Sequence, residues 1–243
     1  MDITYIEHSS FAVETENNIL IFDCYSENVP EFDNNKNIFV FSSHVHSDHF
    51  SMNIFKIFGK YKNVTYILSN DIHRKYGRKY MEKHGVLPEV YEKIVFISAN
   101  EKISVNGIEV ETLRSNDEGV AFIVKSDGKE IYHSGDLNDW VWQGEREDIN
   151  KRISMEYKTE IDKIKGRHFD AAFAVVDPRQ KEDFYKGAYY LFENVTADIF
   201  IPMHFWNDDS VVDKLREHEK SEKFRDKIVS RDIYTQKPYK ISI

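Results

Sequence analysis

The apolar run NIFVFSS at residues 37–43, followed at once by HVHSDH at 44–49, limits what this chain can become more than any other stretch. A short apolar run that ends in polar residues reads as a buried strand, and such a strand delivers its C-terminal end to a site. Here that end carries three histidines and an aspartate within the six positions from His44 to His49. Were the chain to stay extended, His44, His46 and Asp48 would share one face, because strand side chains alternate with period two. His49 would point elsewhere unless the chain bends. The stretch therefore divides into a histidine pair for one ion and Asp48 with His49 for a neighbouring one. Imidazole suits zinc and related borderline metals, and a carboxylate suits the same ions or harder manganese. The competing reading is a solvated histidine-rich loop, and with ten histidines in 243 residues the spacing argues against it.

Two later segments offer partners. IYHSGDLNDW, 131–140, places Asp136 after a β-run and a Ser-Gly turn, and IPMHFW, 201–206, places His204 at the end of another apolar strand. Taken singly, Asp136 reads as a turn carboxylate and His204 as a satisfied core histidine. Beside HVHSDH both read as ligands.

Punctuation elsewhere sets the frame. ITYIEHSSFAVET with NNILIFDCY reads as an opening hairpin, and VTYIL at 64–68 as a strand. Asn106-Gly107 and Asp127-Gly128 are tight-turn dipeptides between apolar runs. One helix is expected from Ser51 through Phe58, and another opened by Asp71 and closed at Gly85. Helical stretches near 147–165, 183–194 and 209–222 alternate with DAAFAVV and DIFIPMH, and KPYKISI reads as a closing strand. Such an order predicts an α+β chain, 1–243 forming one domain, with two sheets and helices packed outside them.

Charge and cysteine usage narrow the partners. A net charge of -9 repels a phosphate backbone, so nucleic acid is not expected. With Cys24 the one cysteine, no intramolecular disulfide can form, which fits a reducing, cytoplasmic setting. The N-terminus lacks the look of an export signal, and AAFAVV is far short of the ~20 residues of a spanning helix, so no membrane is expected. Within the basic stretch DIHRKYGRKYMEKH, 71–84, most charges read as a solvated face; His73, Arg74 or Arg78 is a candidate contact for an anionic substrate. Trp140 and Trp142 follow Asp136 closely, and an indole there would wall a substrate pocket.

HVHSDH, HSGD and PMH together resemble the motifs of the metallo-β-lactamase superfamily, in the same order and over nearly the whole chain. The resemblance implies a four-layer αβ/βα sandwich with metals in a cleft at one edge. His44 and His46 would bind the first ion, Asp48, His49 and His204 the second, and Asp136 would bridge them. Asp23, in ILIFD, matches a carboxylate that is structural near the site. The HSS of residues 8–10, the YHSGD form and the chain length look most like the branch of sugar-phosphate lactonases that includes ascorbate-6-phosphate lactonase. His8 and His133 match positions that this branch often fills with histidine, where they would orient ligands.

One member of the pattern is replaced. The family has a further histidine before the strand that here reads GVAFIV, whereas this chain has TLRSNDEGVAF and no histidine between His84 and His133. Ser115 or Asp117 falls nearest the expected place. Asp117 as an oxygen ligand would lean the first site toward manganese or iron; the alternative is a plain turn. The implied activity is a hydrolase with one or two divalent ions, zinc before manganese or iron. Asp48 and Asp136 would be its catalytic carboxylates, and a metal-held hydroxide would attack a small anionic ester, lactone or phosphoester. Two alternatives stand beside it: a non-catalytic or single-metal binding protein, and a phosphodiesterase or nuclease.

Overall fold

The structure, a computed structural model, describes residues 1–235 and 240–242. Strands β1 (Asp2–Glu7), β2 (Ser10–Glu14), β3 (Asn18–Phe22), β4 (Asn37–Ser42), β5 (Val64–Ser69) and β6 (Ile94–Ile97) stand side by side in sequence order. Helix α1 (Asn53–Phe58) joins β4 to β5, and α2 (Asn70–Lys75), α3 (Arg78–Lys83) and α4 (Pro88–Tyr91) lead on to β6. The second sheet runs in order from β7 (Lys102–Val105) through β8 (Ile108–Arg114), β9 (Val120–Ser126), β10 (Lys129–His133) and β11 (His168–Val175) to β12 (Thr196–Met203). Between β10 and β11 lies α5 (Glu147–Asp162), and between β11 and β12 lies α6 (Lys186–Asn194). After α7 (Ser210–Glu217) and α8 (Asp232–Thr235), β13 (Lys240–Ser242) returns to pair antiparallel with β1.

Each sheet is antiparallel on one side and parallel on the other. Hairpins join β1 to β3 and β7 to β10, whereas β3 to β6 and β10 to β12 pair in parallel, joined by a loop from β3 to β4 and by helical crossovers elsewhere. The parallel strands read as unbroken apolar runs because both of their faces are covered. In β3 and β4, Leu20, Phe22, Phe39 and Phe41 face the second sheet, among Phe122 and Phe173. Ile19, Ile21, Ile38 and Val40 alternate with them and pack against Ile54, Phe58 and Ile72 of α1 and α2. Helices α5 and α6 cover the far side of the second sheet through Tyr157, Ile161, Leu191 and Phe192. The result is the predicted α+β sandwich of helix, sheet, sheet and helix. Each of these fully buried side chains contributes roughly 1.5–3 kcal/mol by leaving water.

Asn106, Gly107, Asp127 and Gly128 all take positive φ, which is what a two-residue turn between right-twisted strands demands. The helix expected from Asp71 to Gly85 is broken: α2 ends at Lys75 and α3 begins after Gly77. Helix α1 starts at Asn53, two residues beyond Ser51. Of the closing strand KPYKISI, positions 237–239 and 243 lie outside the described residues.

Candidate metal centre

The contributors to the centre share one structural address, the C-terminal end of a strand. His8 follows β1, Asp23 follows β3, and Ser43 to His49 follow β4; Asp71 follows β5, Asp117 β8, Asp136 β10, Asp177 β11 and His204 β12. Parallel strands bring such ends to one edge of a sheet, so residues far apart in sequence converge there. His8, Asp23, His204 and Trp206 have φ of 52°, 46°, 67° and 54°. Left-handed backbone at non-glycine residues is costly and persists where surrounding contacts over-determine it.

HVHSDH does not continue as a strand, so the expectation that His44, His46 and Asp48 share an extended face fails. β4 ends at Ser42, and the amides of His49 and Phe50 both donate to the His46 carbonyl, at 3.1 and 2.9 Å, turning the chain back. Two buried carboxylates tether this turn. Asp23 accepts from the Ser43 amide at 2.7 Å, and Asp71 accepts from the Val45 amide at 2.9 Å. Asp71 thus holds the loop and does not cap its helix. On the other side the Val120 amide donates to the Ser43 carbonyl at 2.9 Å.

Gly119 makes that last contact possible. At φ +68°, a Cβ added there would stand 2.0 Å from the Ser43 carbonyl oxygen and 2.6 Å from the His44 Cβ. Gly119→Ala is expected to destabilise the fold by about 3 kcal/mol or more, because the collision is with backbone. Gly85→Ala, at φ +95° with nothing within 4 Å, is the control and should cost about 1–2 kcal/mol. Thermal melts of the two variants compare them directly; equal shifts would refute the steric argument.

The turn sorts the ligand-type side chains into two groups, His44, His46, Asp117 and Asp136 in one and His8, Asp48, His49 and His204 in the other. Within each group the donor atoms lie within 4.8 Å of one another. Asp136 faces both: its Oδ2 is 3.5 Å from His44 Nε2, and its Oδ1 is 3.1 Å from His49 Nε2 and 3.3 Å from His204 Nε2. Asp117 approaches His46 Nδ1 at 3.7 Å, so the SNDEG turn carries its carboxylate into the first group. Ser115 does not follow, since its hydroxyl accepts from the Asp117 amide within the turn. His8 Nε2 lies 3.5 Å from Asp48 Oδ2, which puts the imidazole among the second group's donors and not behind them.

Other hydrogen bonds fix which nitrogen faces inward. His49 donates from Nδ1 to Asp23 at 2.7 Å, and His204 from Nδ1 to Asp177 at 3.0 Å, so both turn Nε2 toward Asp136. The Ser43 hydroxyl donates to Asp23 at 2.7 Å and therefore accepts from His44 Nδ1 at 3.0 Å, leaving His44 Nε2 with a lone pair. Carboxylate–histidine pairs of this kind orient the imidazoles of metal sites. His133 is different. Its Nδ1 accepts from the Gly135 amide at 3.2 Å and its Nε2 donates to the Ser9 carbonyl at 3.0 Å, so neither nitrogen is free for a ligand role.

Electrostatics follow the same wiring. Burial and the neighbouring His49 push His44 down to about 4. His204 is raised to about 9: burial opposes its charge, but the Asp136 carboxylate outweighs that. His49, buried between Asp136 and Asp23, is raised well above its ordinary value by those carboxylates, while Asp136 is held well below its own by His49 and His204 despite its burial. Asp117 moves the other way, raised by burial and by Asp136.

The donor atoms fit a cation better than they fit each other. His49 Nε2, His204 Nε2, Asp136 Oδ1 and both ring nitrogens of His8 are buried without a hydrogen-bond partner. His49 Nε2 and His204 Nε2 stand 3.1 and 3.3 Å from Asp136 Oδ1 without forming a hydrogen bond to it. Buried polar atoms are otherwise nearly always paired, and a divalent ion would satisfy this set at once.

A cavity of about 320 Å³ opens over the centre, with Trp140, Trp142, Trp206, Asn116 and Arg179 around it. Trp140 is anchored by donating from Nε1 to the Asp136 carbonyl at 2.8 Å and stacks on Trp142 at 5.5 Å. None of His73, Arg74 and Arg78 lines this cavity. Arg78 is spent on Glu82 and Glu92, at 2.8 and 2.7 Å, and His73 packs on Phe96. The cation in the cleft is Arg179, which sequence reasoning passed over together with Asp177, Asp71 and Trp206. Asp177 had a readable signal, because AAFAVV ends in an aspartate just as the other strands end in ligands.

The family model described as Beta-lactamase superfamily domain matches residues 2–151. No curated protein matches by sequence. Among solved structures the chain is similar to Igni18, a metallo hydrolase from the archaeon Ignicoccus hospitalis, at 16% identity and TM-score 0.58 over 100% of this chain and 98% of that one. It is similar to an isothiocyanate hydrolase from Delia radicum gut bacteria at 13% identity and TM-score 0.56, covering 100% and 99%. It also resembles CmlA, a diiron β-hydroxylase from Streptomyces venezuelae, at 12% identity and TM-score 0.61, covering 100% of this chain but 54% of CmlA. At such identities the likeness carries the fold. With the sandwich, the strand-end site and a family match over more than half of its length, the chain belongs to the β-lactamase superfamily domain family.

Proposed function

We propose that this protein is a two-metal hydrolase acting on a small anionic ester, lactone or phosphoester. The observation that carries the reading is the convergence of unpartnered nitrogens of His8, His49 and His204 with Oδ1 of Asp136, whose other oxygen faces His44 of the first group. His44, His46, Asp117 and Asp136 would hold the first ion, and His8, Asp48, His49 and His204 the second. Bound divalent ions supply two things, a lowered pKa for water and polarisation of an acyl or phosphoryl oxygen. Asp136 keeps the two ion positions adjacent by offering one oxygen to each group. Asp23 and Asp177 hold His49 and His204 in the tautomer whose Nε2 faces the centre. Trp140 and Trp142 shield one side of the cleft from water, and a cleft this small suits a small-molecule substrate.

Three imidazoles in the second group favour zinc, while two carboxylates in the first leave room for manganese or iron. HSS and YHSGD, with His8 placed at the centre, support the lactonase-like branch.

Metal stoichiometry tests the proposal. Wild type purified without chelator is expected to hold two ions by elemental analysis, and Asp117→Ala to hold one, with turnover of 4-nitrophenyl esters lowered about 10²-fold or more. A wild type that takes up a single ion even with excess metal would favour the single-metal alternative and sink this one.

A further inference from the structure

Arg179 stands in the cleft without a part in holding metal. Its guanidinium lies 5.8 Å from the Trp142 ring and 5.7 Å from the Trp206 ring, at cation–π distance from both. Nε bonds Asp177 at 3.0 and 2.9 Å and Nη2 bonds it at 2.5 Å, the same Asp177 that receives His204 Nδ1. Nη1 takes no hydrogen-bond partner among the described residues. The Arg179 side chain is 51% exposed, whereas Asp177 is fully buried. Among the residues lining the cavity, Arg179 is the one Lys or Arg, facing Asp48, Asp117 and Asp136 across it.

Orienting Asp177 does not account for this arrangement. A carboxylate can be held by any donor, and the Arg179 amide already donates to it at 2.8 Å. What two indoles and a carboxylate achieve together is to immobilise a planar fork and leave one edge of it open to the cleft. A guanidinium so fixed loses little entropy when it binds an oxyanion. Trp140, Trp142 and Trp206 offer flat apolar surface in the same cavity as that edge and the metal groups.

From these positions we infer that Arg179 is the anion anchor of the site. The substrate class is an ester, lactone or phosphoester that carries a second, non-reacting carboxylate or phosphate, separated from the scissile group by an apolar segment. This rests on the hydrolase reading above and adds to it the group that selects the substrate.

The test compares two esters with one leaving group, 4-nitrophenyl acetate and mono-4-nitrophenyl glutarate, on zinc-loaded wild type, Arg179→Gln and Arg179→Lys, each checked for metal content. The expected result is that Arg179→Gln raises KM for the glutarate ester about 10- to 100-fold, the range for one charged hydrogen-bonding contact. That rise should be at least tenfold larger than any change on the acetate ester, with Arg179→Lys between. A structural role through Asp177 predicts something else, lower metal content and an equal fall in kcat on both esters, and would overturn the assignment.

A binding arm separates the anchor from the chemistry. The chain's three tryptophans all line this cavity, so glutarate and inorganic phosphate can be titrated by intrinsic fluorescence. If no ester is cleaved but either anion quenches saturably, with Kd at least tenfold weaker in Arg179→Gln, the hydrolase reading fails and the anchor stands. If quenching is absent, or equal in wild type and Arg179→Gln, the anchor fails whatever the turnover.

Discussion

Asp136→Ala is expected to strip the protein of both ions and to lower ester turnover by about 10³-fold or more, since metal ions are worth several kcal/mol of transition-state stabilisation. The effect is expected to be larger than for the other ligands because Asp136 faces both groups, with Oδ1 near His49 and His204 and Oδ2 near His44. In the metal-free protein the same substitution removes the counter-charge that raises His204 to about 9. The His204 proton should therefore come off at lower pH in the variant, which histidine NMR titration of chelated samples would show. Elemental analysis beside the rate measurement decides the point. A variant that keeps two ions and wild-type turnover would remove Asp136 from the centre.

The second large effect falls on a residue that touches neither substrate nor ion. Asp23→Ala is expected to cost about 3–5 kcal/mol of stability, the scale of breaking a buried charged pair. Three donors lose their acceptor at once: the Ser43 amide, the Ser43 hydroxyl and His49 Nδ1, all in a region closed to water. For a chain of this size that is a fall in Tm of roughly 6–20 °C. Without Asp23 the His49 ring is also free to take the other tautomer, so affinity at the second group should drop about 10- to 100-fold. Asp23→Asn tests the two effects separately. Its side-chain oxygen can still accept from the Ser43 amide, but its NH2 opposes the His49 Nδ1–H, so stability should recover more than metal affinity. A Tm within about 2 °C of wild type for Asp23→Ala would show that the Asp23 network is not what holds the HVHSDH turn.

How much of this was legible in the sequence depended on the range of the interaction. The hairpins at Asn106-Gly107 and Asp127-Gly128, the buried runs of β3 to β5, and the attachment of HVHSDH, Asp136 and His204 to strand ends are local patterns that adjacent residues encode. Where a local pattern was pushed past its range it failed. Period-two alternation put Asp48 with His44 and His46, but Asp23, Asp71 and Gly119 reach the loop from elsewhere and bend it, and Asp48 leaves for His8. Likewise, the helix read from Asp71 to Gly85 breaks, and Asp71 is taken up by the Val45 amide. The basic run at 71–84 looked like the anion-binding element because its charge was dense. It sits on the helical layer of the first sheet, whereas the cleft's cation comes singly from the turn after β11.

The sequence by itself determined the fold class and the chemistry of the donors, because burial periodicity, turn dipeptides and ligand-type side chains at strand ends are all written in short stretches. The division of HVHSDH into a histidine pair and Asp48 with His49 was read there too; only the tertiary structure decided which distant residues complete each group. It brought Asp117 to His46, His8 to Asp48, and Asp177 between His204 and Arg179. The pairings of Asp117 with His46, His8 with Asp48 and Asp177 with His204 each span 27 residues of chain or more, and no local periodicity specifies a contact between residues that far apart.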